Sequence, residues 1–202
     1  MGHIAEGDGP GRLSRREIHR GRRIDIGVDT VRFPDGSTGE LDFITHPGAS
    51  AILPVVGDPT ESDPEILLLR QYRYAAGGFI WEVPAGIPDE PGEPWEVCAA
   101  RELEEETGHR AGTLRYLTRI YTTPGFTDEV IHLFLASELE AGESNLDHDE
   151  FVEVHRIRFS RALELVREGE IVDCKSVATL LYAAQFAIGR PSAEGSAGSA
   201  GR

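Results

Sequence analysis

Gly86-Ile-Pro-Asp-Glu-Pro-Gly-Glu93, Pro94-Trp-Glu-Val-Cys-Ala-Ala100 and Arg101-Glu-Leu-Glu-Glu-Glu-Thr-Gly108 run on without a break. The second half of this stretch reads as a helix. Pro94 suits a first helical turn, and Gly108 suits a helix stop. Val97, Ala100, Leu103 and Thr107 are spaced to face a core. Glu102, Glu105 and Glu106 fall at i, i+3 and i+4, so three carboxylates share one face. Like charges at that spacing weaken a helix by about a few tenths of a kcal/mol per pair. An acidic helix face is most often simply solvated. The same cluster of hard oxygen donors is also what Mg²⁺ or Mn²⁺ binds.

The rest of the chain bounds the setting. It has 202 residues and a formal net charge of -15. That length suits one domain with loose ends. The acidic balance argues against nucleic acid polymers and anionic membranes as partners. It suits an anionic small molecule reached through bound cations. The two cysteines, Cys98 and Cys174, make no disulfide framework. Cys98 reads as a small buried hydrophobe rather than a nucleophile. Residues 1 to 20 lack an apolar leader segment, and no apolar run approaches the length of a membrane span. The expected setting is the cytoplasm.

In order along the chain, residues 1–16 carry no periodicity and are expected to be a disordered tail. Ile24, Ile26, Val28 and Val31, the turn Pro34-Asp35-Gly36-Ser37 and the return run Leu41–Thr45 predict a β-hairpin within residues 17–46. Residues 47–188 predict the main domain. Strands are expected at Ala49–Val56, Glu65–Tyr74, Leu114–Thr122, Val130–Leu139 and Phe151–Phe159. Helices are expected from a Ser160 cap to Gly169 and from Ser176 to Ile188. Residues 189–202 are Gly-, Ser- and Ala-rich and predict a second disordered tail. Mixed strands with few helices indicate an α+β sandwich with the acidic helix packed on a sheet.

The stretch Gly86–Gly108 resembles the Nudix box, a glycine, a glutamate and then Arg-Glu-aliphatic-x-Glu-Glu-x-Gly at fixed spacing. Two departures stand out. Six residues, not five, separate Gly86 from Glu93, and His109 replaces the closing aliphatic residue. The resemblance implies a Nudix-type α/β/α sandwich with a mixed sheet, plus an N-terminal antiparallel hairpin. It implies metal-dependent hydrolysis of a nucleoside diphosphate linked to a second group. As implied metal ligands it gives the Ala85 carbonyl, Glu102, Glu105 and Glu106, holding two to three Mg²⁺ (or Mn²⁺) ions. Arg101 would orient the carboxylates through Glu93 or Glu105.

Leu68–Arg73, Trp81–Gly86 and Thr123–Glu129 narrow the likeness to the ADP-ribose pyrophosphatase branch, as does Pro124 fifteen residues beyond His109. By that likeness Arg73, Glu82, Pro124, Gly125 and Phe126 would bind substrate. The catalytic acids would be Glu105 and Glu150, with Asp149 as the other loop acid in question. Leu41-Asp42 stands where many relatives have the Arg-Glu that helps hold the nucleoside end. GDP-mannose or another nucleoside diphosphate sugar is therefore the alternative substrate to ADP-ribose. A non-catalytic nucleotide-sugar-binding domain is the alternative from another class, although such modules usually lose the box carboxylates kept here. The branch also implies a homodimer joined through the N-terminal hairpin.

Overall fold

The computed structural model describes residues 9–145 and 151–190. Two sheets carry the chain. The smaller is antiparallel in the order β1 (Gly11–Arg20), β2 (Asp25–Arg32), β3 (Thr38–Thr45). The larger runs β10 (Val152–Arg158), β5 (Glu65–Arg73), β4 (Ala49–Val56), β9 (Val130–Ala141), β8 (His109–Tyr121). Two short strands pair with its inner strands off this path, β6 (Gly78–Glu82) on β5 and β7 (Ala85–Gly86) on β4. Only the β4–β9 pairing is parallel in this sheet, so it is mixed.

β4 is apolar without alternation because both of its faces are covered. Ala51, Leu53 and Val55 point into one core with residues of α2 (Phe159–Glu168) and α3 (Cys174–Phe186). Ile52 points into the other, with Ala99 and Leu103 of α1 (Trp95–Thr107) and Phe134 and Ala136 of β9. The period of two thus sorts side chains between two helical layers, which makes the α/β/α sandwich. Leu103 is fully buried, and such burial stabilises by about 2 kcal/mol.

Three expectations are corrected. The buried face of α1 consists of Cys98, Ala99, Glu102, Leu103, Glu106 and Thr107, whereas Val97 is 50% exposed. The stripe is rotated about one position from the apolar pattern because two glutamates share the inward side. α2 is capped by Asp63, whose carboxylate accepts the Ser160 N–H at 2.8 Å, so Ser160 receives a cap rather than supplying one. α3 starts at Cys174 under the Asp173 carboxylate, two residues before the expected start.

The largest correction is N-terminal. Residues 11–16, expected in a disordered tail, lie in β1, and the expected hairpin is a three-stranded sheet. β1 has no apolar period. Its arginines instead bracket the buried Asp29 of β2, with Arg12 at 3.7 Å and Arg15 at 3.6 Å. A Cβ on Gly27 would meet the Arg15 side chain at 2.5 Å, so a larger residue there would push the Arg15 side chain aside. This sheet is tied to the main domain by the Ile44 N–H to the Phe126 carbonyl (2.8 Å) and the His46 N–H to the Asp128 carboxylate (2.8 Å).

Candidate active site

A cavity of about 1060 Å³ opens above the inward end of α1, between the β1–β2 turn, β5, β6 and the start of α3. Its floor is made by the turn after Val83. β7 pairs Ala85 and Gly86 with Ala51 and Ser50 of β4, which fixes the turn on the sheet. The Ala85 N–H donates to Glu106 Oε2 at 2.8 Å. A Cβ on Gly86 would sit 1.9 Å from Glu102 Oε1, so only glycine lets that carboxylate lie against the turn. Glu102 and Glu106 are 9% and 2% exposed, and they are ionisable groups on the core side of a helix.

Arg101 holds the acids in place. Its Nη1 donates to Glu102 Oε1 at 2.8 Å and to Glu105 Oε2 at 2.9 Å, and its Nη2 donates to the Ile87 carbonyl at 2.8 Å. Asp89 lies 3.1 Å from Nε as an ion pair without hydrogen-bond alignment, and Glu93 lies 3.5 Å from Nη2. Burial works against the Arg101 charge, but Glu102 and the other carboxylates outweigh it and hold its pKa above the ordinary arginine value. The longer Gly86–Glu93 loop closes on itself, with the Asp89 N–H donating to Glu93 Oε2 at 2.9 Å and Gly92 in the left-handed region at φ 91°.

A second charged cluster forms the back wall. Arg73 binds Glu82 through two parallel hydrogen bonds of 2.7 Å. Lys175 pairs with the same carboxylate and donates to Asp173 at 2.9 Å. Burial raises the Glu82 pKa, but Arg73 and Lys175 outweigh it and hold it below the usual carboxylate value. The Val83 N–H donates to Ser176 Oγ at 2.8 Å, and that hydroxyl donates to Asp173 at 2.6 Å. The start of α3 therefore fixes the strand that leads into the Ala85 turn. Burial pushes the Cys98 thiol up to about 11, which leaves it protonated and unreactive at neutral pH, as expected of a core residue.

The structure brings Arg73, Glu82, Ala85, Arg101, Glu102, Glu105 and Glu106 into this one cavity. Pro124, Gly125 and Phe126 do not line it; their loop tethers the N-terminal sheet instead, and Phe126 is 47% exposed. Glu150 and Asp149 lie outside the described residues. Sequence reasoning missed Lys175, His46, Glu129 and the arginines Arg22 and Arg23, all on the cavity wall. For Lys175 a signal existed: Asp173 sits three residues ahead of Ser176, a helix-cap spacing that brings Lys175 inward. The arginines carried none, because they lie in a turn between two strands of which the first was unforeseen.

Among the described residues, no three acidic, histidine or cysteine side chains converge on one point as they stand. Arg101 draws Glu102 and Glu105 to itself, while Glu106 takes the Ala85 N–H. The donor set nevertheless fits a divalent cation of the Mg²⁺ class. It consists of hard carboxylate oxygens beside a backbone turn, with more negative charge than the one arginine neutralises.

The NUDIX domain family matches residues 46–175. An ADP-ribose pyrophosphatase of Bacillus subtilis (strain 168) is 40% identical over 172 residues, spanning 84% of this chain and 90% of that protein. A methanol dehydrogenase activator of Bacillus methanolicus is 37% identical, over 84% of this chain and 90% of its own length. A solved structure described as an ADP compounds hydrolase superposes with a TM-score of 0.73 at 20% identity, covering 88% of this chain and 93% of the other. The family match and the 40% identity agree with the Ala85-to-Glu106 geometry: the chain belongs to the NUDIX family and is a hydrolase of that family.

Proposed function

We propose that this chain hydrolyses the diphosphate bond of a nucleoside diphosphate sugar, splitting ADP-ribose into AMP and ribose 5-phosphate. The observation that carries the reading is the acidic inward face of α1, which meets the Ala85–Gly86 turn on the floor of a cavity large enough for such a substrate. The likeness to a named ADP-ribose pyrophosphatase over most of the chain supports the choice of sugar nucleotide. Water adds across the P–O–P bridge. Its oxygen joins one phosphorus, the bridging oxygen leaves with the other, and each product ends as a phosphomonoester.

Mg²⁺ or Mn²⁺, two or three ions per site, would be held by the Ala85 carbonyl, Glu102, Glu105 and Glu106. When bound, such cations supply positive charge against the diphosphate oxygens and acidify water. Arg101 keeps Glu102 and Glu105 aimed into the cavity. Arg73, locked on Glu82, offers the rest of its guanidinium to substrate. Glu150 is our choice of general base, in the acidic sequence that follows Asn145, a residue of the cavity lining. Glu150→Gln then lowers kcat by about 10² to 10⁴ with KM little changed. An effect confined to Asp149→Asn would move the role there, and no effect in either would leave Glu105 as base.

A panel of ADP-ribose, GDP-mannose and other nucleoside diphosphate sugars, assayed with Mg²⁺ for phosphomonoester release, tests the reading. ADP-ribose is expected to give the highest kcat/KM. A preference for GDP-mannose would replace it with the alternative substrate, and no turnover on any member would leave a binding domain. The free cysteines, Cys98 and Cys174, fit a reducing cytoplasm.

We further infer a two-fold homodimer through the N-terminal sheet. That sheet exposes Leu13 (46%), Ile18 (55%) and Leu41 (41%), an apolar surface that a second copy would cover. Light scattering at micromolar concentration is expected to give a dimer, and deletion of residues 1–45 a monomer with a raised KM. A full-length monomer would end the inference.

A further inference from the structure

The cavity is lined by five arginine and lysine side chains, and three of them are held in ion pairs on its wall and floor. Arg73 is locked on Glu82, Lys175 on Glu82 and Asp173, and Arg101 on Glu102 and Glu105. Arg22 and Arg23 come from the β1–β2 turn, and Arg23 is engaged as well. This turn is closed by the Gly21 N–H donating to the Ile24 carbonyl at 2.9 Å. A Cβ on Gly21 would meet that carbonyl at 2.6 Å, so the tight closure that projects the two arginines depends on glycine. Arg22 is exposed and makes no ion pair or hydrogen bond with a described residue.

Electrostatics gives this position a task. The chain carries a net charge of -15, and the cavity floor is acidic, so the far field repels a dianionic diphosphate. A partnerless guanidinium at the mouth adds positive charge locally, felt over about a Debye length of 10 Å at moderate salt. Guanidinium also matches phosphate in a two-pronged geometry. We propose that Arg22 is a substrate-binding residue: a rim cation, carried by the N-terminal sheet, that captures the diphosphate of the incoming nucleotide before it reaches the acidic floor. This rests on the pyrophosphatase reading for the identity of the substrate, but the capture itself requires only an anionic nucleotide.

The test compares full-length wild type with Arg22→Ala, Arg22→Lys and Arg167→Ala, the last an exposed arginine on α2 that gives the same change in net charge. Affinity for ADP by calorimetry and kcat/KM for ADP-ribose are measured at low and high salt. Arg22→Ala is expected to lose about three- to tenfold in ADP affinity and in kcat/KM at low salt, with kcat retained and the loss shrinking as salt rises. Arg22→Lys recovers most of it, and Arg167→Ala matches wild type. An unchanged ADP affinity in Arg22→Ala, or an equal loss in Arg167→Ala, overturns the proposal. If wild type lacks turnover, the substrate reading falls while the ADP affinities still decide the role of Arg22.

Discussion

Two charged clusters share one cavity and are built on opposite terms. On the back wall, Arg73 and Lys175 face Glu82 and Asp173, so two cations meet two carboxylates. On the floor, Arg101 faces Asp89, Glu93, Glu102 and Glu105, with Glu106 beside them. The wall's charges are balanced within the chain, and its ion pairs serve as scaffold. The floor gathers more carboxylates than Arg101 can neutralise, and surplus carboxylate on a buried helix face is costly unless a cation joins it. Balance marks structure here, and imbalance marks chemistry.

The sharpest way to break this comparison is at the floor. Glu106→Gln keeps an oxygen for the Ala85 N–H, so the fold is expected to hold, while kcat is expected to fall by orders of magnitude if the proposed charged metal ligand is gone. Steady-state kinetics beside a thermal melt separates the two effects. A matching change on the wall should do the reverse. Glu82→Gln leaves Arg73 and Lys175 without their shared charge, and breaking such a buried pair costs about 3 kcal/mol or more of stability. Denaturant unfolding reads this directly; an unaltered midpoint would mean that the wall is not scaffold.

The pH dependence sharpens the same contrast. Glu82 has a depressed folded pKa, so its contribution is fully present above the ordinary carboxylate value and is lost as pH falls through the folded one. Melting temperature is therefore expected to stay level from neutral pH down to about 5 and then to drop. In Glu82→Gln the acid drop should be shallower than in wild type. The smallest effect expected is at Arg101, where lysine keeps the charge but cannot span Glu102, Glu105 and the Ile87 carbonyl together. Arg101→Lys should lower kcat by about tenfold and leave the melting temperature within a few degrees. Equal activity would show that charge alone, without the fork, holds the acids.

The two regions also differed in how far the sequence exposed them. The floor was legible because its spacing is dictated by one helix: Arg101, Glu102, Glu105 and Glu106 project from adjacent turns. The wall was legible in halves. Arg73 and Glu82 lie on paired strands, but Lys175 arrives from ninety-three residues away, and no local pattern announces that meeting. β1 was illegible because it is held by backbone pairing and by arginines around Asp29, not by an apolar period. The stripe on α1 misled for a related reason, since buried glutamates occupy positions where a periodicity argument expects apolar side chains.

The central claim is that the floor's surplus charge is a cation site that drives diphosphate hydrolysis. The most direct test is ADP-ribose turnover by metal-stripped wild type, Glu106→Gln and Glu82→Gln, titrated with Mg²⁺ or Mn²⁺ and followed by AMP release. The account predicts no turnover in chelator and recovery in wild type on adding metal. It also predicts a raised half-saturating metal concentration in Glu106→Gln but not in Glu82→Gln. Full turnover in chelator, or a metal requirement that Glu106→Gln leaves unmoved, would contradict it.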